Sequence, residues 1–380
     1  MSSETKLKTI TIDLEDQVVE KEHTSMMAWV VVVVTVAINS ACAVMWMTGS
    51  CIPTAGPEYF GIDLTQLNWL SNISAILNTV GSLPSAWCYE YLGIKKSMIL
   101  AATLNTVGCW IRCLAIVAPL NTKFPVMAFG QFVASIGGPI LHLFTSLFAD
   151  GYHLALQQRP SYCQHLLIVA GFSSVATVPT FFIPAKPKRP PTKSAVEGRM
   201  PFILGLKKLI KSRQFWYITL SGGASMGMGY SVAVLIMQAI IPLGYSDQQA
   251  GICSAIIVVA GFAGGLIPNA FGAVILACFM NGFTVYGIFP VMLEYASEIM
   301  YPVPESISSC FIWTWVTAFM LVFSVMIDSL RAGPDAVPPN NMTHSMIAAT
   351  AVVTFCLIPI IWLRGEMKRS ATDKGHPVLS

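Results

Sequence analysis

Long apolar stretches with almost no charged side chains recur along the chain, separated by short polar segments. A bilayer core about 30 Å thick is crossed by roughly 20 apolar residues in a helix, and the stretches have about this length. Helices satisfy their own backbone hydrogen bonds in lipid, whereas open sheet edges do not. The pattern therefore predicts an all-α, polytopic membrane protein with helices near residues 27–49, 66–88, 97–118, 124–148, 163–185, 214–242, 248–267, 270–293, 307–329 and 343–363.

The composition supports this class and excludes several others. Of the 380 residues, 54% are hydrophobic and 11% are charged, whereas soluble domains carry roughly 25% charged residues. The net charge of +3 is concentrated in loops and does not indicate nucleic-acid binding. The cysteines lie mostly inside apolar runs, the histidines show no ligand spacing, and no phosphate-binding glycine motif is present. We therefore expect no disulfide framework, no metal site, no cofactor and no enzymatic activity.

Basic residues between the runs predict the orientation of the helices, because cytoplasmic loops are enriched in lysine and arginine. Lys95 and Lys96 follow two runs, and residues 186–213 carry nine bases against the single acid Glu197. We predict a cytoplasmic tail (1–25), a helical half (26–185), a basic cytoplasmic linker (186–213), a second helical half (214–364) and a cytoplasmic tail (365–380).

The number of runs conflicts with this orientation. Five runs precede the linker and five follow it, so a chain that starts in the cytoplasm would place the linker's bases outside. The basic C-terminal tail would then also lie on the wrong side of the membrane. Each half therefore has one crossing fewer than its charges require, and we hypothesise that one helix is missing from each.

A tight polar turn carries the first recognisable motif. The segment Pro84–Lys96 contains the acid Glu90, a glycine at Gly93 and the bases Lys95 and Lys96. It resembles the loop between helices 2 and 3 of the major facilitator superfamily, in which such residues help to hold two helical halves together. A plain cytoplasmic turn is the alternative. Two halves joined by a basic linker are also similar to this superfamily, which is built from paired repeats around a central site.

Three further segments resemble one branch of the superfamily, the feline leukaemia virus subgroup C receptor (FLVCR-type) family of heme and choline-related transporters. They are Asn68–Ser71, Gly108–Cys113 and, most specifically, Leu293–Glu305, which has two glutamates four apart followed by Tyr301, Pro302 and another acid. The resemblance implies a two-half helical bundle with about ten of twelve helices. It implies that helices 5 and 9 are the missing ones, through internal deletions.

The resemblance also implies where a substrate would bind. Trp46 and Tyr230 fall where choline-transporting members have two aromatics around the quaternary ammonium, and the negative faces of such rings attract cations. Thr317 falls where the family has a glutamine, and a threonine reaches less far. Aromatic residues are also common at membrane interfaces and in helix packing, so both interpretations of Trp46 and Tyr230 stay open.

Charged residues near the helices have structural interpretations as well. Glu294 and Glu298 lie four residues apart, on one face of a helix. Intramembrane carboxylates are costly and usually functional, but these two lie at a cytoplasmic helix end that Tyr301 and Pro302 close. We favour a structural contact with the linker's bases over cation or proton binding. Arg112 is expected to snorkel or to pair rather than to bind substrate.

The expected function is transport of a small organic solute by alternating access, with a choline-like amine as the first substrate and heme as the second. The alternatives are a truncated, non-transporting membrane paralogue and a facilitator for another solute. The expected partners are a small-molecule substrate and the lipid bilayer, with no nucleic acid, and the protein is expected to be a monomer. The plasma membrane is the first expected location and an organelle membrane the second.

Overall fold

The computed structural model describes residues 26–47, 55–141, 162–182, 200–241, 289, 291–333, 335–337, 341–363, 365 and 367–369. Every regular element within them is helical, which confirms the all-α prediction. The helices are α1 (Met26–Met47), α2 (Ala55–Phe60), α3 (Leu64–Leu114), α4 (Leu120–Leu141), α5 (Tyr162–Thr177), α6 (Phe202–Lys211), α7 (Arg213–Ile240), α8 (residues 291–300), α9 (Glu305–Ser329) and α10 (Thr343–Leu357). Short 3-10 segments, Val178–Phe182 and Ile358–Trp362, extend α5 and α10. The predicted run at 248–267 and most of the run at 270–293 lie outside the described residues.

Four helical stretches in the described part of the chain are long and apolar enough to cross a bilayer. They are Lys95–Leu114, Arg213–Leu235, Glu305–Ser329 and Thr343–Trp362, accompanied by the shorter apolar helices Val33–Met47 and Leu166–Phe182. Their outward side chains are often large and apolar: Val175 and Phe355 are 71% and 73% exposed. Such surfaces are stable in lipid rather than in water, so the protein is an integral membrane protein.

The helix α3 contains two of the predicted runs and a sharp break between them. It begins with a capping box: Oδ1 of Asp63 accepts from the backbone N–H of Gln66 over 2.6 Å, and Oε1 of Gln66 accepts from the N–H of Asp63 over 3.3 Å. At Gly93 the backbone adopts φ 76° and ψ 163°, a conformation that only glycine adopts without strain. Gly93 therefore separates a first limb, residues 64–92, from a second limb, residues 94–114.

The helices form two apolar cores, and we call the two groups of helices around them the two halves. One core contains buried side chains from α1 to α5, and the other contains side chains from α6 to α10. Small residues allow close approach within each half, as is usual in membrane bundles. At Gly108 of α3, a Cβ atom would lie 2.3 Å from the backbone nitrogen of Ala134 in α4, so only glycine fits there.

The first limb of α3 and the helix α9 form the boundary between the halves. Hydrogen bonds connect them along its length: Ser324 Oγ donates to Asn72 Oδ1 over 2.9 Å, and Thr79 Oγ1 donates to Thr317 Oγ1 over 2.9 Å. Met47, Ala75 and Ala86 of the first half are buried within the core of the second. The boundary is thus a packed interface with buried polar contacts.

The bundle has two ends, which we call the basic end and the opposite end. The basic end contains Gly93, Lys95, Lys96, the helix α6 and the start of α9 at Glu305. The opposite end contains the start of α3 and the ends of α7 and α9. Because α3 begins at the opposite end and reaches Gly93 at the basic end, Asn78 lies midway between them.

Candidate functional site

Aromatic side chains from both halves meet at the boundary. The ring centroids of Trp46 in α1 and Tyr230 in α7 lie 5.9 Å apart, with an angle of 67° between the ring planes. The Tyr230 ring also contacts Trp313 of α9 at 5.8 Å and 82°, and Trp313 contacts Phe289 at 5.5 Å. We call Trp46, Tyr230 and Trp313 the aromatic cluster. It contains the two aromatics that the sequence resemblance implied and adds a third.

Trp313 was missed by the sequence analysis, although a signal was present. It lies four residues before Thr317 on α9, and residues four apart occupy the same helix face. If one residue on a helix face is suspected to contact substrate, the residue one turn earlier on that face is a candidate as well. Both side chains are buried in the structure, so the face is directed into the bundle rather than at lipid.

Asn78 provides polar atoms beside the aromatic cluster. Its Oδ1 accepts a hydrogen bond from Nε1 of Trp313 over 3.3 Å, and its Nδ2 donates to the carbonyl of Ser74 over 2.8 Å. The side chain is buried and lies midway along the first limb of α3. Aromatic rings with an amide oxygen nearby offer negative electrostatic potential to a cation that has no N–H donors.

Thr317 lies in the boundary itself. Its Oγ1 accepts from Thr79 Oγ1 over 2.9 Å and donates to the backbone of its own helix, where the carbonyl oxygen of Trp313 is 3.0 Å away. The side chain is buried. The hydroxyl of Thr317 therefore joins α9 to α3, and the substrate contact that the resemblance implied stays a prediction.

Arg112 neither snorkels nor forms an ion pair among the described residues. It is 1% exposed, and its Nη1 donates to the carbonyl of Met45 over 2.9 Å. Arg112 therefore binds the backbone of α1 at the residue that precedes Trp46. Its Nε and Nη2 have no hydrogen-bond partner in the described structure.

A buried polar network closes the opposite end of the bundle. Gln238 of α7 and Asn68 of α3 donate to each other, with distances of 2.6 Å and 3.2 Å. Asn68 Nδ2 also donates to Oδ1 of Asp328 over 3.1 Å. Arg331 forms an ion pair with Asp328 and donates to Oε1 of Gln238 over 2.8 Å. The sequence analysis missed this network; its one local signal was the Asp328–Arg331 pair at the end of an apolar run.

At the basic end, the predicted glutamate contact involves the C-terminal tail. Arg369 Nη1 lies 2.5 Å from Oε1 of Glu305 and 3.5 Å from Oε1 of Glu294. The sequence analysis favoured the linker's bases as the partners of Glu294, and most of the linker lies outside the described residues. Tyr295 contributes to the same attachment, because its hydroxyl oxygen accepts from the N–H of Gly365 over 3.1 Å.

The other residues of the predicted structural set lie near this end. Glu298 is buried in α8, and the peptide bond between Tyr301 and Pro302 is cis. Gly93 forms the break in α3, followed by Lys95 and the exposed Lys96. The side chain of Glu90 lies outside the described part, so its proposed contact with the basic residues stays a prediction.

Comparisons with known proteins relate the chain to one transporter group. No family model matches it. It is 24% identical over 424 residues to Solute carrier family 49 member A3 of Xenopus tropicalis, which covers 90% of this chain and 88% of that protein. It is 20% identical over 441 residues to the choline/ethanolamine transporter FLVCR2 of Rattus norvegicus, which covers 96% of this chain and 78% of that protein.

The fold is similar to that of a solved transporter. A D-xylose-proton symporter superposes with a TM-score of 0.59 at 11% sequence identity, covering 89% of this chain and 98% of the symporter. The alignment with FLVCR2, over 441 residues, is longer than the 380 residues of the chain. The relative therefore has residues within the aligned region that have no counterpart here. The chain therefore has the fold of a major facilitator transporter, and its sequence is similar to Solute carrier family 49 member A3 and to the FLVCR-type transporters.

Proposed function

We propose that the protein carries a small organic cation of the choline type across a membrane by alternating access of its two halves. The observation that carries this proposal is the contact between Trp46 and Tyr230, whose rings come from different halves and lie 5.9 Å apart. A binding site built from both halves changes shape when the halves move. Binding is then coupled to the side of the membrane from which the site is accessible.

The chemistry of the aromatic cluster favours a quaternary ammonium group. A cation held against desolvated aromatic faces gains about 2 kcal/mol or more per favourable contact. The oxygen of Asn78, next to Trp313, adds negative potential without requiring a donor on the substrate. The relatives named choline/ethanolamine transporters support the same substrate class. Heme is the weaker candidate, because a macrocycle would require the rings to separate much further than a trimethylammonium group would.

The membrane potential provides a driving force for such a substrate. An inside-negative potential favours entry of a cation by about 2.3 kcal/mol per charge per 100 mV. Transport by this protein would then need no coupled ion. The plasma membrane, which carries such a potential, is the location that fits this mechanism best.

Uptake of radiolabelled choline into cells that express the chain tests the proposal. We expect uptake above that of empty-vector cells, and a loss of at least tenfold on Trp46→Ala or Tyr230→Ala. Trp46→Phe, which keeps a ring, should retain more activity than Trp46→Ala. The matched control is Trp362→Ala, which removes an exposed tryptophan far along the chain from the aromatic cluster. Equal uptake by the wild type and both alanine variants would contradict the proposal.

A second candidate function is that of a membrane protein that folds but does not transport. It is favoured by the length of the alignment, since the FLVCR2 relative has residues within the aligned region that this chain lacks. The two candidates differ in binding as well as in uptake. A chain that reaches the cell surface, shows no uptake and gains no thermal stability from choline supports the second function. Stabilisation by choline that Trp46→Ala abolishes supports the first.

A further inference from the structure

The helix α6 has two different faces. Its buried face, which includes Gly205 and Leu209, packs on the start of α9, where a Cβ atom on Gly205 would lie 3.0 Å from Cδ1 of Ile307. On the other side, Ile203 and Ile210 are 67% and 50% exposed. Residues seven apart lie on one face of a helix. The helix therefore docks by one face and presents an apolar flank outward.

Lysines lie beside this apolar flank. Lys207 and Lys211 are exposed and four residues apart, so they occupy one helix face. Residues 200–213 contain no aspartate or glutamate. Lys208 lies on the far side of these two, partly buried, and burial together with the nearby Lys368 lowers the pKa of its amine. The exposed surface of α6 is thus apolar on one side and cationic on the next.

The position of α6 relative to the membrane follows from Trp216. This residue lies in the first turn of the membrane-spanning helix α7, and its Nε1 donates to the carbonyl of Ile210 over 2.8 Å. Tryptophan is enriched at the level of the lipid headgroups. At the same end of the bundle, Trp87 and Tyr91 stack with centroids 5.3 Å apart and are both exposed. Aromatic residues in both halves therefore mark one interface, and Ile210 lies at it.

We propose that α6 lies in the membrane surface, with Ile203 and Ile210 in the lipid and with Lys207 and Lys211 bound to the headgroups of anionic phospholipid. Interfacial helices bind by this combination of buried apolar side chains and basic side chains at the headgroups. The cytoplasmic leaflet, in which the basic end is expected to lie, carries phosphatidylserine and attracts basic segments. The inference concerns the surface of the protein and does not depend on the transported substrate.

Native mass spectrometry of the purified full chain tests this, with dioleoyl-phosphatidylserine and dioleoyl-phosphatidylcholine as the added lipids. The wild type is expected to bind phosphatidylserine more tightly than phosphatidylcholine. Lys207→Gln/Lys211→Gln should weaken phosphatidylserine binding by about fivefold for each lysine removed and leave phosphatidylcholine binding unchanged. Because both side chains are exposed, the thermal unfolding of this variant should match that of the wild type.

Two control variants separate this helix face from charge in general. Lys207→Arg/Lys211→Arg keeps the charges and should keep the preference for phosphatidylserine. Lys6→Gln/Lys8→Gln removes two lysines from the N-terminal segment and should also keep it. The proposal is overturned if the wild type has no preference, or if the control Lys6→Gln/Lys8→Gln loses as much affinity as Lys207→Gln/Lys211→Gln.

The apolar flank has its own variant. Ile203→Ser/Ile210→Ser should weaken the binding of both lipids, because the inserted side chains interact with acyl chains irrespective of the headgroup. An unchanged affinity of this variant for both lipids would also overturn the proposal.

Discussion

Gln238 and Asn68 exchange two hydrogen bonds across the boundary between the halves: Nε2 of Gln238 donates to Oδ1 of Asn68 over 2.6 Å, and Nδ2 of Asn68 donates to Oε1 of Gln238 over 3.2 Å. The Asp328–Arg331 ion pair is bound to the same two amides. The network closes one end of the bundle, while the aromatic cluster lies deeper between the halves. Alternating access requires such a contact to be specific when formed and separable when the halves move.

The exchange between these amides predicts non-additive effects on stability. Asn68→Leu and Gln238→Leu each remove the two hydrogen bonds between the amides and leave the remaining buried amide bound only to the Asp328–Arg331 pair, which lowers the free energy of unfolding by about 1–3 kcal/mol. In the double variant the loss should be smaller than the sum, with a coupling energy of about 0.5–3 kcal/mol. The measurement is a double-mutant cycle on the purified protein, unfolded by denaturant.

A second cycle provides the control for that prediction. Asn105, in the second limb of α3, donates to Ser173 Oγ over 2.9 Å within the first half and has no part in the network at the opposite end. Asn68→Leu and Asn105→Leu should therefore add to within about 0.5 kcal/mol. Additivity in both cycles would show that the Asn68–Gln238 contact does not hold the halves together.

Arg112 is predicted to position Trp46 through its contact with the backbone of α1. Its hydrogen bond to the carbonyl of Met45 fixes the residue that precedes Trp46. If the protein transports choline, Arg112→Met should raise the KM for choline several-fold, and Arg112→Lys, which keeps the charge, should raise it less. Replacing a buried, incompletely paired charge by an apolar side chain is often neutral or stabilising. The thermal stability of Arg112→Met should therefore not fall, and a large loss of stability at unchanged KM would indicate a purely structural role.

The apolar runs predicted the class of the protein and many of its helices, because membrane insertion depends on the local density of apolar residues. The runs at 66–88 and 97–118 correspond to the two limbs of α3. The charge pattern located the turn between them, but the turn is narrower than expected: the backbone departs from helical geometry at Gly93 alone. The break in α3 depends on the backbone conformation of a single residue, and the hydrophobicity pattern carries no information about that conformation.

The pattern of apolar and polar positions did not predict which distant helices contact each other. Gln238 and Asn68 lie 170 positions apart, and apolar periodicity states which face is buried but not which helix covers it. The pairing of Trp46 with Tyr230 followed from a family resemblance and not from spacing. Arg112 was expected to reach an interface or an acid, whereas a backbone carbonyl of α1 accepts its hydrogen bond. Backbone carbonyl groups are potential partners that a search for opposite charges overlooks.

Lys208 is predicted to lower the stability of the fold at neutral pH. Burial, and next the charge of Lys368, lower the pKa of its amine in the folded state. Folding therefore disfavours the charged form of the amine. As the pH rises through the folded pKa towards the ordinary lysine value of 10.5, this cost disappears and the free energy of unfolding increases. Thermal unfolding followed from neutral pH to about pH 10.5 should show less gain at high pH for Lys208→Gln than for the wild type. Lys207→Gln, at the exposed neighbouring position, is the control and should follow the wild type.

Gly93 and Gly171 offer a matched test of backbone conformation. A Cβ atom added at either position meets nothing within 4 Å, and the two glycines differ in that Gly93 has φ 76° whereas Gly171 lies inside α5. Gly93→Ala should lower the free energy of unfolding by about 1–3 kcal/mol, because an L side chain is strained at that φ and ψ. Gly171→Ala should raise it by about 0.5–1 kcal/mol, because alanine loses less backbone entropy in a helix. Opposite shifts in thermal unfolding are therefore expected. Shifts of the same sign would mean that the two limbs of α3 do not meet at Gly93 in this conformation.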